Sequence, residues 1–247
     1  MNEIVGSTIV RIPVTDSTNN YAATQLLTKR PQEGAVYVAG SQIDGRGQIS
    51  SKWESEPNKN LTFSIILYPG FLEIARQFLI SKAISLGVTD YLSEVTDQVS
   101  IKWPNDIYIG NGKVAGILIE NSICGNRILT CIVGVGLNIN QQIFKSDAPN
   151  PVSLSQITGD VYDLGNSLSN LCTRIDNRYQ QLQRGEVYQL DEDYIAMLYR
   201  RDSWSPYSDE EGDFEGRLIG VDQIGRLLIE TRFGKVRKYM FKEVVFK

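Results

Sequence analysis

Apolar residues recur along this chain in distinct rhythms. Phe71, Ile74 and Phe78, then Leu79, Ala83 and Leu86, fall at three- and four-residue steps, which predicts a long helix. Leu164, Leu168, Leu171, Ile175, Tyr179 and Leu182 predict a second, and Leu190, Tyr194 and Leu198 a third. A shorter helix is expected over residues 20–27, after the short polar residues Asp16-Ser17-Thr18-Asn19, which suit an N-cap. Strand-type runs occupy residues 35–39, 61–65, 99–102, 106–109, 117–120 and 127–133. Leu61-Thr62-Phe63-Ser64-Ile65 alternates cleanly. Asn111-Gly112 signals a tight hairpin, and the last two runs join around Gly125-Asn126. Residues 42–56 have two close glycines and little periodicity, so they read as a loop.

After Trp204-Ser205-Pro206 the character changes. Residues 214–246 offer short β-type runs split at Gly220, Gly225 and Gly234, which fits a small antiparallel barrel. The boundary is placed near Pro206, giving a larger unit over 1–205 and a small β unit over 206–247. Strands and helices without regular βαβ alternation, followed by an all-β tail, make the fold class α+β.

Composition narrows the chemistry. The 247 residues suit one large domain or two unequal ones. With 42% hydrophobic and 22% charged residues, a disordered or collagen-like chain is excluded. No apolar run is long enough to span a bilayer, so no membrane association is expected. Met1-Asn2-Glu3-Ile4 lacks a basic region followed by an apolar stretch, so no signal peptide is expected. Histidine is absent, which excludes histidine acid–base catalysis, a Ser-His-Asp triad and His-ligated metals. Cys124, Cys131 and Cys172 form no CxxC and read as core residues of a cytoplasmic protein. From Gly216 onward, eight Lys and Arg face three Asp and Glu, an excess of +5 that leaves −9 on the rest. That asymmetry reads as a basic tail module.

Several short segments could carry chemistry. Gly45-Arg46-Gly47 lets backbone approach a ligand closely and adds a guanidinium fork for carboxylate or phosphate, though Gly-Arg-Gly also occurs in ordinary turns. No GxxxxGK[ST] is present, so a P-loop is not supported. Lys102-Trp103-Pro104-Asn105-Asp106 displays a Trp and a carboxylate at one bend, or is simply a rigid hairpin with Trp103 in the core. Lys113 leads into Gly116 along an apolar strand; it either points into a pocket or is solvated. Gly134-Val135-Gly136-Leu137-Asn138 ends a strand with two glycines and an amide that matches an adenine edge, which is also common turn chemistry.

Ser17-Thr18-Asn19, Gln42 with Gly45-Arg46-Gly47 and Lys52-Trp53, Lys102 to Asp106, Lys113 to Gly116 and Gly134 to Asn138 occur in one order. That order and spacing resemble the biotin protein ligases. The strongest matches are Lys-Trp-Pro-Asn-Asp, Lys-x-x-Gly and Gly-x-Gly-x-Asn. By motif the resemblance covers about residues 10–140; beyond that it rests on layout alone.

The resemblance implies a mixed-sheet catalytic domain of the biotin/lipoate ligase type with a small C-terminal SH3-like β-barrel. It implies ATP-dependent formation of biotinyl-5′-adenylate, then transfer of biotin to one lysine of a biotin carboxyl carrier protein. Ser17, Thr18 and Gln42 are expected on the ureido head of biotin. Gly45, Gly116 and Gly134 are expected to line its pocket, and Arg46 and Lys113 to grip its carboxylate and the α-phosphate. Asn138 and Trp53 are expected at the adenine, with Arg46 and Lys102 also on the nucleotide. Lys113, Arg46 and Asp106 are the expected catalytic residues, Asp106 holding Mg²⁺ or receiving the proton of the incoming lysine.

Two departures from the family pattern stand out. The family loop often reads Gly-Arg-Gly-Arg with further basic residues; here Gly45-Arg46-Gly47-Gln48-Ile49-Ser50-Ser51 leaves Arg46 and Lys52 as its cations. The first motif begins near Asp16, leaving no room ahead of it for the DNA-binding segment some members carry, so no nucleic-acid partner is expected. A homodimer is left open. Lipoate–protein ligase-like chemistry and a non-catalytic biotin or adenylate sensor are the alternative functions.

Overall fold

The computed structural model describes residues 3–48, 51–146 and 149–247. The sequence readings on Met1, Asn2, Ile49 and Ser50 lie outside the described residues.

Among the described residues, seven strands form one mixed sheet. They are β1 (Ile9–Thr15), β2 (Val36–Gln42), β3 (Leu61–Leu67), β4 (Val99–Lys102), β5 (Asp106–Ile109), β6 (Gly112–Cys124) and β7 (Arg127–Leu137), in the order β1-β2-β3-β7-β6-β5-β4. β1 runs parallel to β2, and every other neighbour is antiparallel. Helices α2 (Phe78–Leu92), α4 (Leu164–Gln183) and α5 (Val187–Ala196) pack together on one face, and α1 (Thr18–Thr28) covers part of the other.

The alternation in β3 shows how both faces are used. Leu61, Phe63, Ile65 and Leu67 join the main core with Ile80 and Ile84 of α2 and Leu168, Leu171 and Ile175 of α4. Each such side chain contributes roughly 1.5–3 kcal/mol by leaving water. On the opposite face Ile66 packs with Ile12, Ala22, Tyr37 and Ile132 beneath α1. Thr62 and Ser64 share that face but are polar, and there the apolar layer gives way to a cavity.

A second, antiparallel sheet holds β8 (Trp204–Asp209), β9 (Gly212–Val221), β10 (Leu227–Thr231), β11 (Val236–Tyr239) and β12 (Val245–Phe246), ordered β11-β10-β9-β8-β12. Side chains curl it. Asp209 of β8 accepts hydrogen bonds from Arg237 (2.6 Å) and Tyr239 (2.5 Å) of β11, which lies two strands beyond its neighbour β9. Tyr207 is fully buried inside, against Phe214 and Phe246. The small sheet is tied to the large one where Trp103 Nε1 donates to the Gly225 carbonyl at 2.9 Å.

The structure corrects several local expectations. The first long helix begins at Phe78; Ile74–Arg76 is a separate 3₁₀ turn, and Phe71 packs its ring on Tyr179. The β5–β6 turn is Gly110 and Asn111, with Gly110 at φ +57, so Gly112 opens β6. Ser17 occupies the N-cap of α1 without a side-chain cap bond. Leu198 lies beyond the end of α5, and Pro206 sits within β8. Strand β1 and the short α3 (Leu154–Thr158) lay outside the sequence pattern. The basic tail also dissolves. Counting from β8 adds Asp209, Glu210, Glu211, Asp213 and Glu215, which cancel the excess. Arg217, Arg226, Arg232, Arg237 and Lys247 are all in ion pairs inside this sheet. Among the described residues no helix is long and apolar enough to cross a membrane.

Candidate active site

Register across the sheet lays down the floor of the site. Thr62 pairs with Gly136, Gly136 with Gly116, Gly116 with Asp106, and Asp106 with Lys102. Residues opposite one another in a ladder share a face, so these five form one row. The next row is Ser64, Gly134 and Leu118. The middle of the floor is therefore bare backbone, with hydroxyls at one end and an acid and a lysine at the other.

The Lys-x-x-Gly spacing needs an irregularity. In a regular strand, residues three apart point to opposite faces. Here Ile107 pairs with Ala115 and Tyr108 with Lys113, so Val114 is an extra residue in β6. This β-bulge returns Lys113 to the face that holds Gly116. Lys113 Nζ ends 2.7 Å from Asp106 Oδ1 and 5.7 Å from the centre of the Trp53 ring.

The indole of Trp53 lies over the glycine floor. A Cβ at position 136 would sit 2.3 Å from Trp53 Cε2, and one at 116 would sit 2.9 Å from Cζ3. The backbone N–H of Trp53 donates to the Gly45 carbonyl at 2.8 Å, which fixes the residue in its loop, while the indole Nε1 has no partner among the described residues.

At the α1 end, Ser17, Thr18 and Asn19 are buried. The Gln42 Oε1 accepts from the Thr18 N–H at 2.8 Å. Ser64 Oγ lies 2.8 Å from Thr18 Oγ1 and 2.6 Å from Asn19 Oδ1, and Asn19 Nδ2 donates to Glu120 at 2.7 Å. Arg46 Nη2 pairs with Glu120 at 2.6 Å, and its Nη1 donates to Asn20 Oδ1 at 2.6 Å.

At the other end Lys102 donates to the Tyr108 hydroxyl at 3.2 Å and lies over the Phe246 ring at 5.3 Å. Burial pulls the Lys102 ammonium below the ordinary lysine range, with Asp106 acting against that and Arg200 and Lys113 adding to it. Burial, with the Asp106 charge, pushes the Tyr108 hydroxyl up to about 12. Asn138 is buried; its Nδ2 donates to the Val152 carbonyl at 3.1 Å, and its Oδ1 has no partner among the described residues.

Together these groups wall a cavity of about 970 Å³. Ser17, Thr18, Gln42, Arg46, Trp53, Lys102, Asp106, Lys113, Gly116, Gly134 and Asn138 all line it; Gly45 does not, and acts through Trp53. Sequence reasoning gave no role to Gly136 or Asn19, which lay inside quoted motifs, nor to Ser64 and Glu120. The signal for Glu120 was present: Gly116, Leu118 and Glu120 alternate onto one face beyond the bulge. Val245 and Phe246 of β12 and Phe241 in the turn before it also line the cavity, so the C-terminal segment contributes to its wall.

Among the described residues, no three Asp, Glu or Cys side chains gather to hold a metal. Asp106 is already paired with Lys113, and Glu54 accepts from the backbone N–H groups of Lys145 and Ser146. This donor set fits a divalent ion that arrives on a triphosphate, and does not fit a resident one.

Residues 11–138 match the biotin/lipoate A/B protein ligase family. The chain is 30% identical over 253 residues to the bifunctional ligase/repressor BirA of Salmonella typhimurium, covering 98% of this chain and 75% of that protein. It is 27% identical over 228 residues to the biotin–[acetyl-CoA-carboxylase] ligase of Paracoccus denitrificans, covering 90% and 93%. The fold matches the biotin protein ligase of Aquifex aeolicus solved with biotin and ATP, with a TM-score of 0.81 at 26% identity, covering 98% and 99%. The chain belongs to the biotin/lipoate A/B protein ligase family. Within it, the Paracoccus and Aquifex proteins are named as biotin ligases, and the α+β architecture is that of the Aquifex structure.

Proposed function

We propose that this protein activates biotin with ATP and transfers it to a lysine of a biotin carboxyl carrier protein. The observation that carries the reading is the convergence of Lys113, Lys102 and Arg46 on one glycine-floored cavity with buried hydroxyl and amide groups at its far end. The uncharged, polar-headed ureido ring needs buried hydrogen-bond partners, which Ser17, Thr18 and Gln42 supply. Its tail then runs along Gly134 and Gly116 toward the cations.

In the first step a carboxylate oxygen of biotin attacks the α-phosphorus of ATP and pyrophosphate leaves. Two anions must meet, and Lys113 and Arg46 offset their repulsion and the charge that develops. Lys102 steadies the phosphates, with Asn138 and Trp53 toward the base. Asp106 is the residue that would hold a Mg²⁺ ion arriving with ATP, and such an ion would supply further charge neutralisation on the triphosphate. In the second step the carrier's lysine amine attacks the acyl carbon, an amide forms, AMP leaves, and Asp106 takes up the proton. No group of pKa near 7 is required for activation, which is consistent with a chain lacking histidine. The large unit, 1–205 by the sequence boundary, holds most of this machinery, and the small unit, 206–247 by that boundary but opening with β8 at Trp204, closes its nucleotide end.

The test is biotin transfer to a purified carrier domain with ATP, with lipoate and a lipoyl domain as the parallel arm. Biotin-specific, ATP-dependent labelling is expected. Labelling by lipoate alone would overturn the reading.

A further inference from the structure

Arg46 is held by protein groups on both terminal nitrogens. Nη2 lies 2.6 Å from Glu120 Oε1, and Nη1 donates to Asn20 Oδ1 at 2.6 Å. The same Glu120 carboxylate uses Oε2 to accept from Asn19 Nδ2 at 2.7 Å. Asn19 in turn is locked by Ser64 and by the bare backbone at Gly134, where a Cβ would sit 2.4 Å from Asn19 Oδ1. Glu120 thus joins the buried polar end of the cavity to the only arginine of its loop. A carboxylate ligand that binds Arg46 through its paired terminal nitrogens competes with the carboxylate already there.

We propose that Glu120 is a positioning residue with two jobs: it fixes the Asn19 amide, and it is an internal competitor that the substrate carboxylate displaces from Arg46. The competition discriminates by charge. A ligand without a carboxylate cannot release Arg46, and a small carboxylate without the ureido contacts has no other binding energy to help it do so. The proposal rests on the biotin-binding reading above.

Glu120→Gln separates the two jobs. Its amide oxygen can still accept from Asn19, which leaves its NH₂ facing Arg46, donor against donor, so the arginine is released while Asn19 stays in place. Both partners of the pair are more than a third exposed. The expected gain is therefore modest, about two- to fivefold tighter biotin binding. Titration calorimetry should be run with biotin and with biotin methyl ester on the parent, Glu120→Gln, Arg46→Ala and the double variant. Biotin should tighten in Glu120→Gln, the ester should not change, and the gain should vanish in the Arg46→Ala background. Asn20→Ala removes the other partner of Arg46 without touching Glu120, and should shift biotin affinity in the same direction. Unchanged or weaker biotin binding by Glu120→Gln, or an equal gain for the ester, would overturn the competition. If Glu120→Gln fails to fold, Asn20→Ala decides by the same criteria. Should the parent itself not bind biotin, the functional reading fails and the competition with it.

Discussion

Lys113 and Asp106 meet at 2.7 Å across β5 and β6 because Val114 is an extra residue between them and the regular ladder. Without that bulge the lysine would point into the hydrophobic core, where Val114 and Ala115 lie. The pair places a cation at the edge of the glycine floor and holds it ready beside a carboxylate that can release it.

Replacing Lys113 by Ala removes this preorganised charge. Such donors contribute about 2.7–4 kcal/mol at the transition state. Adenylate formation in a single-turnover assay should slow roughly a hundredfold or more, with biotin still bound. A near-normal rate would take Lys113 out of the chemistry.

Gly136→Ala should displace Trp53, whose ring atom would lie 2.3 Å from the new Cβ. Overpacking of this kind costs about 1–3 kcal/mol. The expected result is a shift in tryptophan emission together with weaker retention of the adenylate, by about tenfold. An unchanged emission spectrum with parental retention would show that Trp53 does not form the roof of the site.

How much of this was legible in the sequence depends on which interactions made each element. β4 and β5 fall on the predicted residues because alternating apolar positions and a Pro-Asn turn are local signals. β1 was missed because Pro13 breaks a strand pattern, and it is tolerated there only because β1 is an edge strand. Five-residue α3 is too short to show a period. The site's motif residues were legible one by one, yet their shared face was not. It depends on strand order and on a bulge that no local pattern reports. The approach of Phe246 to Lys102 is a contact between two sheets and leaves no trace in either segment.

The pH dependence of nucleotide use should report Lys102. Burial favours its neutral amine, so it loses its charge at a pH below the ordinary lysine value of 10.5. The cation is present below that lowered pKa and lost as pH rises through it. kcat/KM for ATP should therefore fall on the alkaline side earlier than an ordinary lysine would allow. Lys102→Arg should remove this alkaline limb, because guanidinium stays charged. An identical limb in the arginine variant would assign it to another group.

Within the small sheet, Arg237→Ala should destabilise and Phe246→Ala should weaken nucleotide binding. Burial alone would push the Asp209 carboxyl up, but hydrogen bonds from Tyr239 and Arg237 outweigh it and hold it below the usual range. The stabilisation is present above the ordinary carboxylate pKa and is lost as pH falls through the lowered one. Removing a hydrogen bond to a charged group costs about 1.5–3 kcal/mol, so thermal unfolding of Arg237→Ala should drop by several degrees at neutral pH. Phe246→Ala should raise KM for ATP and, because the ring also packs on Tyr207, should lower melting as well. A parental KM would place the ring outside the nucleotide site.

The most direct measurement is a single-turnover reaction of the purified protein with biotin and α-phosphate-labelled ATP, first alone and then with a carrier domain. Without carrier, labelled biotinyl-adenylate should form in stoichiometric amount and pyrophosphate should be released only when biotin is present. Adding carrier should discharge the adenylate to AMP and biotinylated protein. Biotin-independent pyrophosphate release, or a protein that binds biotin and ATP yet never joins them, would contradict the proposed ligase activity.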